Sequence, residues 1–394
     1  MRIAALLSGE VSAPAVHAQT FPLLRALRSR GHEVGLVVTV SLRRWLRPAG
    51  TAYALSLARE AAGGLLRVVP HPPGHCWPRV EGFLARRALR ALRPDVVHAR
   101  QARAAVLALG ARSGAVLADL RGIRPEEFLL ATEREEEDLS RGQRGKLARL
   151  RLEERTASKH AGAVVCVSEC FRRRLTRVDG VFVIPNAAEP LAVAGPDERR
   201  ALRRRFGLRD DEFGFVYSGS LAAWQFARET VRLFREIRNA MPRARLTLLV
   251  HDRAAGESLL REEEVAGTVE SLPAAEAAAA LRAFDAGFLL RRAHPVNAVA
   301  CPVKFAEYLH AGLPVVATGG IGDVSETIRR EGLGVVLPEP EGPEAARRVA
   351  ENLPVVEGGR CRAFARERLT FERTSGEYET AFEHAAGTKR CGSA

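Results

Sequence analysis

Short apolar runs alternate with longer segments of helical period along most of this chain. Residues 2–7 (RIAALL) read as a buried strand ending in Ser8, Gly9 and Glu10. Residues 14–30 follow as a helix with Phe21, Leu24 and Leu27 on one stripe, stopped by Gly31. Residues 33–40 are a second strand. Strand, helix and strand in this order open a parallel α/β sheet. Gly9 lets backbone approach a ligand at the strand's end, and serves a plain tight turn equally well. Residues 41–93 are less patterned, with a strand over 65–69. Residues 81–93 form a basic amphipathic helix with Phe83, Leu84, Leu89 and Leu92. Such a helix covers a sheet more often than it rests on anionic lipid. Residues 95–100 (DVVHAR) and 115–122 (AVLADLRG) are strands that end in charged or imidazole groups. Open α/β sheets bind ligands there, although a structural ion pair is the other reading of Asp119 and Arg121. Residues 133–158 are a charge-dense helix or helix pair, broken at Gly142 and Gly145. Strands at 163–168 and 181–186 close the first half.

The second half restarts the alternation. Residues 187–211, with Pro190, Gly195, Pro196 and a charged run, read as a linker. A strand at 213–218 turns at Gly219 and Ser220. A helix over 226–240, a strand at 245–250 and an Ala-rich helix over 273–284 follow. Further strands lie at 286–290, 314–317 and 334–337, and residues 357–386 form helices. Only the element pattern recurs between the halves, not the sequence. Between two of these strands, Pro302 falls in the first turn of a helix over 303–310, with Gly312 as its C-cap. Lys304 and Glu307 share one face near the helix start. The macrodipole opposes a cation there unless the free N–H groups hold an anion such as phosphate. Glu307, one turn deeper, accepts hydrogen bonds from a diol. Phosphate and sugar diol together define a nucleotide site. A solvated Lys–Glu pair is the plainer reading of the spacing alone.

The run PVKFAEYLHAGLPVV (302–316) resembles the donor-binding signature of glycosyltransferase family 4. The strand ends VVHAR, DLRG, VCVSE and VIPNA resemble those of the N-terminal domain in the same family. The resemblance implies an α/β protein of GT-B fold, two Rossmann-like domains facing across a cleft. It places an acceptor-side domain over 1–188, a linker over 189–211 and a nucleotide-sugar domain over 212–372. The final helix, 373–394, is expected to cross back to the first domain. It implies a retaining, metal-independent glycosyltransferase of hexosyltransferase type. The sugar passes from a nucleotide-sugar donor to a glycan or lipid-linked acceptor, in cell-surface polysaccharide or glycoconjugate synthesis. The nucleotide sugar is a co-substrate, and no cofactor or metal is expected. By the same resemblance, Lys304 meets the diphosphate and Glu307 the ribose hydroxyls. Pro302 and Tyr308 belong to the signature, and Ser218, Gly219 and Ser220 form the donor domain's first turn. Gly9 joins the donor-binding set. His98, Arg100, Asp119 and Arg121 join Lys304 as catalytic candidates. The chain departs from the family at Val299, where the first of two paired glutamates would fall, so a hexose contact is lost or passes to Asn297. The usual Arg and Lys are missing from GSLAAWQ (219–225), leaving Arg291 and Arg292 as replacement cations. Trp224 stacks on a base or packs in the core.

Composition narrows the partners. A chain of 394 residues with 46% hydrophobic residues holds two or three domains with sizeable cores. A net charge of +13 suits nucleotide sugars, lipid phosphates, an anionic leaflet or nucleic acid. Scattered Arg residues without an aromatic-interleaved patch disfavour nucleic acid. Six Cys without a CxxC pair read as free thiols in a reducing compartment. His71, His75 and Cys76 sit in a Pro/Gly loop whose spacing fits no standard metal site. The apolar run at 3–7 is short for a signal-peptide core, and no run approaches the ~18 residues of a membrane span. The expected location is the cytoplasm, with peripheral contact at the anionic inner face of the membrane left open. The same fold also accommodates a nucleotide-sugar epimerase, a sugar phosphorylase or a non-catalytic binder. A basic nucleic-acid-binding protein is the alternative of a different class.

Overall fold

A computed structural model describes residues 1–9, 11, 13–46, 48–72, 78–177 and 179–391. Glu10, His75 and Cys76 therefore lie outside the described residues. The chain divides into two compact units, Met1–Pro185 with Phe371–Ala394, and Asn186–Thr370.

The first unit is built on seven strands: β1 (Arg2–Ser8), β2 (Glu33–Ser41), β3 (Leu66–His71), β4 (Val96–Arg100), β5 (Ala115–Leu120), β6 (Ala163–Cys166) and β7 (Val181–Val183). They run in the order β3-β2-β1-β4-β5-β6-β7, and every pairing is parallel. Ile3 stands opposite Val34 on one side and Val96 on the other. Central parallel strands are covered on both faces, so β4 and β5 are buried at every position, including the polar residues His98, Arg100 and Asp119 near their carboxyl ends.

The helices explain where the sequence pattern was read differently. The helix expected over 14–30 is a π-helical turn, Val16–Thr20, followed by the α-helix Phe21–Ser29. The helix Pro78–Leu92 lies against β2, β3 and the helix Gln101–Ala111, with Glu81, Ala85 and Leu89 turned inward. It covers the sheet, and Phe83 stays 64% exposed. The helix Arg141–His160 runs unbroken through Gly142 and Gly145. Ser140 fixes its start: the Ser140 hydroxyl accepts from the Gln143 N–H at 3.3 Å, and the Gln143 side chain accepts from the Ser140 N–H at 2.9 Å. This reciprocal cap satisfies two orphan donors and leaves both glycines in the first two turns. The helix Phe371–Cys391 packs on β5, β6 and the helix Phe21–Ser29, burying Tyr378 and Phe382.

The second unit repeats the plan with β8 (Phe213–Ser218), β9 (Ala244–Leu249), β10 (Thr268–Glu270), β11 (Ala286–Leu289), β12 (Val315–Thr318) and β13 (Gly334–Leu337). The order is β10-β9-β8-β11-β12-β13, again parallel throughout. Its core holds Phe215, Phe234 and Phe288, the first and last stacked at 5.1 Å. Each such side chain contributes about 1.5–3 kcal/mol by leaving water. β10 and the helix Arg253–Glu262 were not among the expected elements.

Residues 189–211 are not a free linker. They carry the helix Pro196–Arg205, which belongs to the second unit. Its charges are used internally. Arg203, 4% exposed, donates to Asp285 Oδ2 at 2.9 Å and to the carbonyls of Ala283 and Arg209 at 3.1 and 2.7 Å. Asp285 Oδ2 also accepts from the Gly214 N–H at 2.7 Å, which ties this helix to the start of β8.

In both sheets the strand order reverses beside the first strand, between β1 and β4 and between β8 and β11. Open α/β sheets bind ligands outside the carboxyl ends of the strands at such a point. Among the described residues, no helix is long and apolar enough to cross a membrane.

One carboxylate on the long helix of the first unit is placed against its own charge. Burial, with Glu126 close by, pushes the Glu154 carboxyl up to about 7, and its Oε2 is buried without a hydrogen-bond partner. A folded-state value above the unfolded one gives a stabilisation present at low pH and lost as pH rises through about 7. Glu154→Gln keeps the neutral form at every pH. Its thermal midpoint should exceed that of the parent at pH 8 and match it near pH 5. Equal midpoints at both would show that the carboxylate is not penalised.

Candidate functional site

At the carboxyl end of the second sheet, β8 ends in Ser218 and Gly219 follows with φ +139°. Its N–H is held by the Leu249 carbonyl at 2.9 Å. A Cβ at this position would overlap the end of the Lys304 side chain, so glycine is what lets Lys304 lie across the turn. The Lys304 Nζ donates to Gln225 Oε1 at 2.9 Å and stands 4.5 Å from the centre of the Tyr217 ring. Burial, and after it the Arg291 guanidinium, push the Lys304 ammonium well below the usual lysine range, against the pull of Glu307.

Arg291 follows β11 and is 9% exposed. Burial pushes its guanidinium down as well, and Nε is buried with no hydrogen-bond partner. Its backbone is pinned by Thr318, whose hydroxyl accepts from the Arg291 N–H and donates to the Arg291 carbonyl, both at 2.9 Å. Burial raises the Glu307 carboxyl, and Lys304 opposes that rise. Two cations and one carboxylate thus share a dry corner. Their charge is balanced best when an anion enters.

Other expected members of this site take different roles. Pro302 is the N-cap of the helix Val303–Ala311, one residue before the expected first turn, because its extended ψ of 132° is not helical. Gly312 is the C-cap, with φ +81°. Tyr308 is wholly buried. Its hydroxyl accepts from the Ser218 N–H at 2.9 Å and donates to the Phe288 carbonyl at 3.3 Å. It ties β8 to β11 beneath the site and offers no free hydroxyl to a ligand. Asn297 is 3% exposed, and its amide donates to the carbonyls of Arg292 at 2.9 Å and Trp224 at 3.4 Å. Through Nδ2 it braces two loops. Val299, at that glutamate's position, is 1% exposed. Trp224 is half-buried, with its carbonyl also accepting from the Arg292 N–H, and Ser220 and Arg292 are exposed. Gln225, Tyr217 and Thr318 were missed. Gln225 and Tyr217 flank the same turn, but their contact with Lys304 spans more than seventy residues and leaves no local signal.

In the first unit the strand-end residues form a closed network. The Asp119 carboxylate is 0% exposed, with Oδ2 2.9 Å from His98 Nε2 and Oδ1 2.8 Å from Arg121 Nε. Burial opposes its charge, but Arg121, His98 and Arg100 outweigh burial and hold the carboxyl below its usual range. Arg121 donates to the Tyr378 hydroxyl on the last helix, and the His98 ring lies 5.3 Å from Tyr378 and 5.9 Å from Phe382. His98, Asp119 and Arg121, expected as catalytic groups, are therefore sealed under that helix and join it to β4 and β5. Arg100 alone of the four lines an open cavity. That cavity, of about 330 Å³, lies outside the carboxyl ends of β1 to β4, and Gly9 is on its wall with φ +73°. Buried Glu81 sits at its base, the sole acid of the helix Pro78–Leu92. Among the described residues, no three His, Cys, Asp or Glu side chains gather as a metal site.

The two parallel-sheet Rossmann-like units are those of the GT-B glycosyltransferase fold. Residues 18–190 match the family model described as Glycosyltransferase Family 4. No curated protein matches the chain in sequence. Among solved structures, sucrose-phosphate synthase from Thermosynechococcus elongatus is similar at a TM-score of 0.70 and 14% identity, over 98% of this chain and 100% of that one. HepE from Anabaena, in complex with UDP and glucose, is similar at a TM-score of 0.67 and 15% identity, over 97% and 99%. WaaG, a glycosyltransferase involved in lipopolysaccharide biosynthesis, is similar at 0.60 and 13%, over 97% and 98%. At these identities the likeness establishes the fold.

Removing the carboxylate from the sealed network leaves buried cations unpaired, which costs roughly 3–5 kcal/mol. Asp119→Asn should therefore lower the thermal midpoint sharply. A variant as stable as the parent would return Asp119 to the catalytic candidates.

Proposed function

We propose that this chain is a glycosyltransferase that takes its sugar from a nucleotide-sugar donor bound at the carboxyl end of the second sheet. The observation that carries this reading is the pair of crowded cations, Lys304 and Arg291, facing a single carboxylate. A diphosphate supplies the negative charge that the pair lacks, and the start of the helix Val303–Ala311 adds free N–H groups. Glu307, on the same helix face, is placed to accept from the ribose hydroxyls. As the glycosidic bond breaks, charge grows on the leaving diphosphate, and fixed cations in a dry corner stabilise it without reorganising. The complexes of HepE with UDP and with UDP-glucose support a uridine nucleotide as the first donor to test. In this reading transfer retains anomeric configuration, needs no metal and goes to a glycan or lipid-linked acceptor. The part of WaaG in lipopolysaccharide biosynthesis supports cell-surface glycoconjugate synthesis as the setting; in this reading the chain works in the cytoplasm, with peripheral contact at an anionic membrane.

A second reading, a sugar-nucleotide binder that transfers nothing, draws on buried Val299 and on Asn297, whose amide is already used. Turnover of a radiolabelled UDP-hexose separates the two.

Lys304→Ala and Glu307→Ala should each weaken UDP binding by at least about tenfold in calorimetry, the scale of losing one charge-assisted contact. Both proteins should stay folded, because each side chain is only part-buried. Unchanged UDP affinity in both variants would sink the reading.

A further inference from the structure

The cavity of the first unit has an excess of positive charge that its own residues do not neutralise. Five cations, Arg100, Arg103, Arg124, Lys146 and Arg149, line it beside two carboxylates, Glu81 and Glu153. Five less two leaves three, and of the five Arg100 faces Asp119 and Arg124 meets Glu127, so the cations without a close acid of their own are on one helix, Lys146 and Arg149. Both carboxylates are already engaged by one cation. Arg103 donates to Glu81 and, at 3.0 Å, to Glu153. Glu81, 2% exposed, also accepts from the hydroxyls of Ser8 at 3.1 Å and Thr39 at 3.0 Å. Burial opposes the charge on Glu81, but Arg103 outweighs it and holds the carboxyl below its usual range, so Glu81 remains an anchor for Arg103.

Of the remaining cations, Arg100 faces the sealed carboxylate of Asp119. Arg149 reaches Glu153 only at 4.0 Å, and Arg124 meets Glu127 at 3.1 Å on an exposed surface. Lys146 has no carboxylate partner among the described residues; its ammonium stands 4.5 Å from the Phe128 ring centre. Lys146 and Arg149 are three apart on one helix, where like charges repel. Guanidinium forks and an ammonium around a cavity match anionic oxygens, the forks bidentately.

We propose that this cavity binds a phosphoryl-bearing molecule, its oxygens held by Arg124, Lys146 and Arg149 while Glu81 and Glu153 fix Arg103. Under the transferase reading, on which this role rests, that molecule is a phosphorylated acceptor. A phosphoryl group carries about −1.5 to −2 at neutral pH, comparable to the summed charge of Lys146 and Arg149. The hydroxyls of Ser8 and Ser41 supply uncharged polar lining for the rest of the molecule.

The test is calorimetry of the full chain with inorganic pyrophosphate at low ionic strength. Three proteins are compared: the parent, the double variant Lys146→Ala with Arg149→Ala, and Lys304→Ala, with UDP titrated in parallel. Pyrophosphate binding that falls about tenfold or more in the double variant, yet persists in Lys304→Ala, supports the site. Both cavity positions are exposed, so their truncation should leave the unfolding midpoint in place. The charge-keeping pair Lys146→Arg with Arg149→Lys should restore binding. Equal affinity in the double variant, or loss through Lys304→Ala alone, overturns the proposal. Cavity-dependent pyrophosphate binding with no UDP binding in any protein supports the anion site and removes the donor reading instead. Vesicles of phosphatidic acid in phosphatidylcholine distinguish the sources. Sedimentation that depends on Lys146 and Arg149 and is competed by pyrophosphate assigns a lipid headgroup. Cavity-dependent pyrophosphate binding without sedimentation assigns a soluble phosphorylated acceptor. Either result supports the site.

Discussion

Two basic side chains held within reach of one another and partly withdrawn from water dominate the second unit. Burial lowers the readiness of both Lys304 and Arg291 to carry charge, and Arg291 lowers that of Lys304 further. Such an arrangement survives only where the backbone around it is stiff. Thr318 clamps Arg291 through both its backbone groups, and Tyr308 joins the ends of β8 and β11. The absence of a side chain at Gly219 leaves the path that Lys304 follows. The basic groups are held on fixed strand and helix ends, ready for an anionic ligand.

The first unit uses the same geometry for two ends. Along β4 and β5, one buried carboxylate is shared: Asp119 answers Arg121, His98 and Arg100, and the network is closed by aromatic side chains. Around β1, the cations outnumber the acids and a cavity stays open. Neighbouring strand ends of one sheet thus differ in whether their charge is internally balanced. A balanced cluster stabilises the fold, whereas an unbalanced one awaits a partner.

Most of the sheet architecture was legible, because central parallel strands are apolar on both faces and their periodicity is lost in a recognisable way. Strand β10 was not, being three residues long with one buried position. The charged run at 196–205 read as linker because its pairing with Asp285 spans about eighty residues. Gly142 and Gly145 read as breakers, yet the cap at Ser140 places them where a helix tolerates them. Lys304 and Glu307 stood out as candidates because one short run carries them, and Gly219 because it follows a strand. Tyr308 and Asn297 came with the same runs, but their direction inward is a tertiary fact. The cavity cations come from three separate stretches, around 100–103, 124 and 146–149, and no short window of sequence holds them together.

The first unit is discontinuous in the chain, and this has a consequence for biosynthesis. Its sheet is translated early, yet the helix Phe371–Cys391 that seals β5 and β6 is translated last. At about 5–20 residues per second the ribosome leaves a gap of roughly 10–40 s between them. Throughout that interval the wall bearing His98 and Asp119 has no Tyr378 or Phe382 against it. A nascent chain in this state presents an apolar sheet face to chaperones, and a message cut short near its end yields a protein that never covers it.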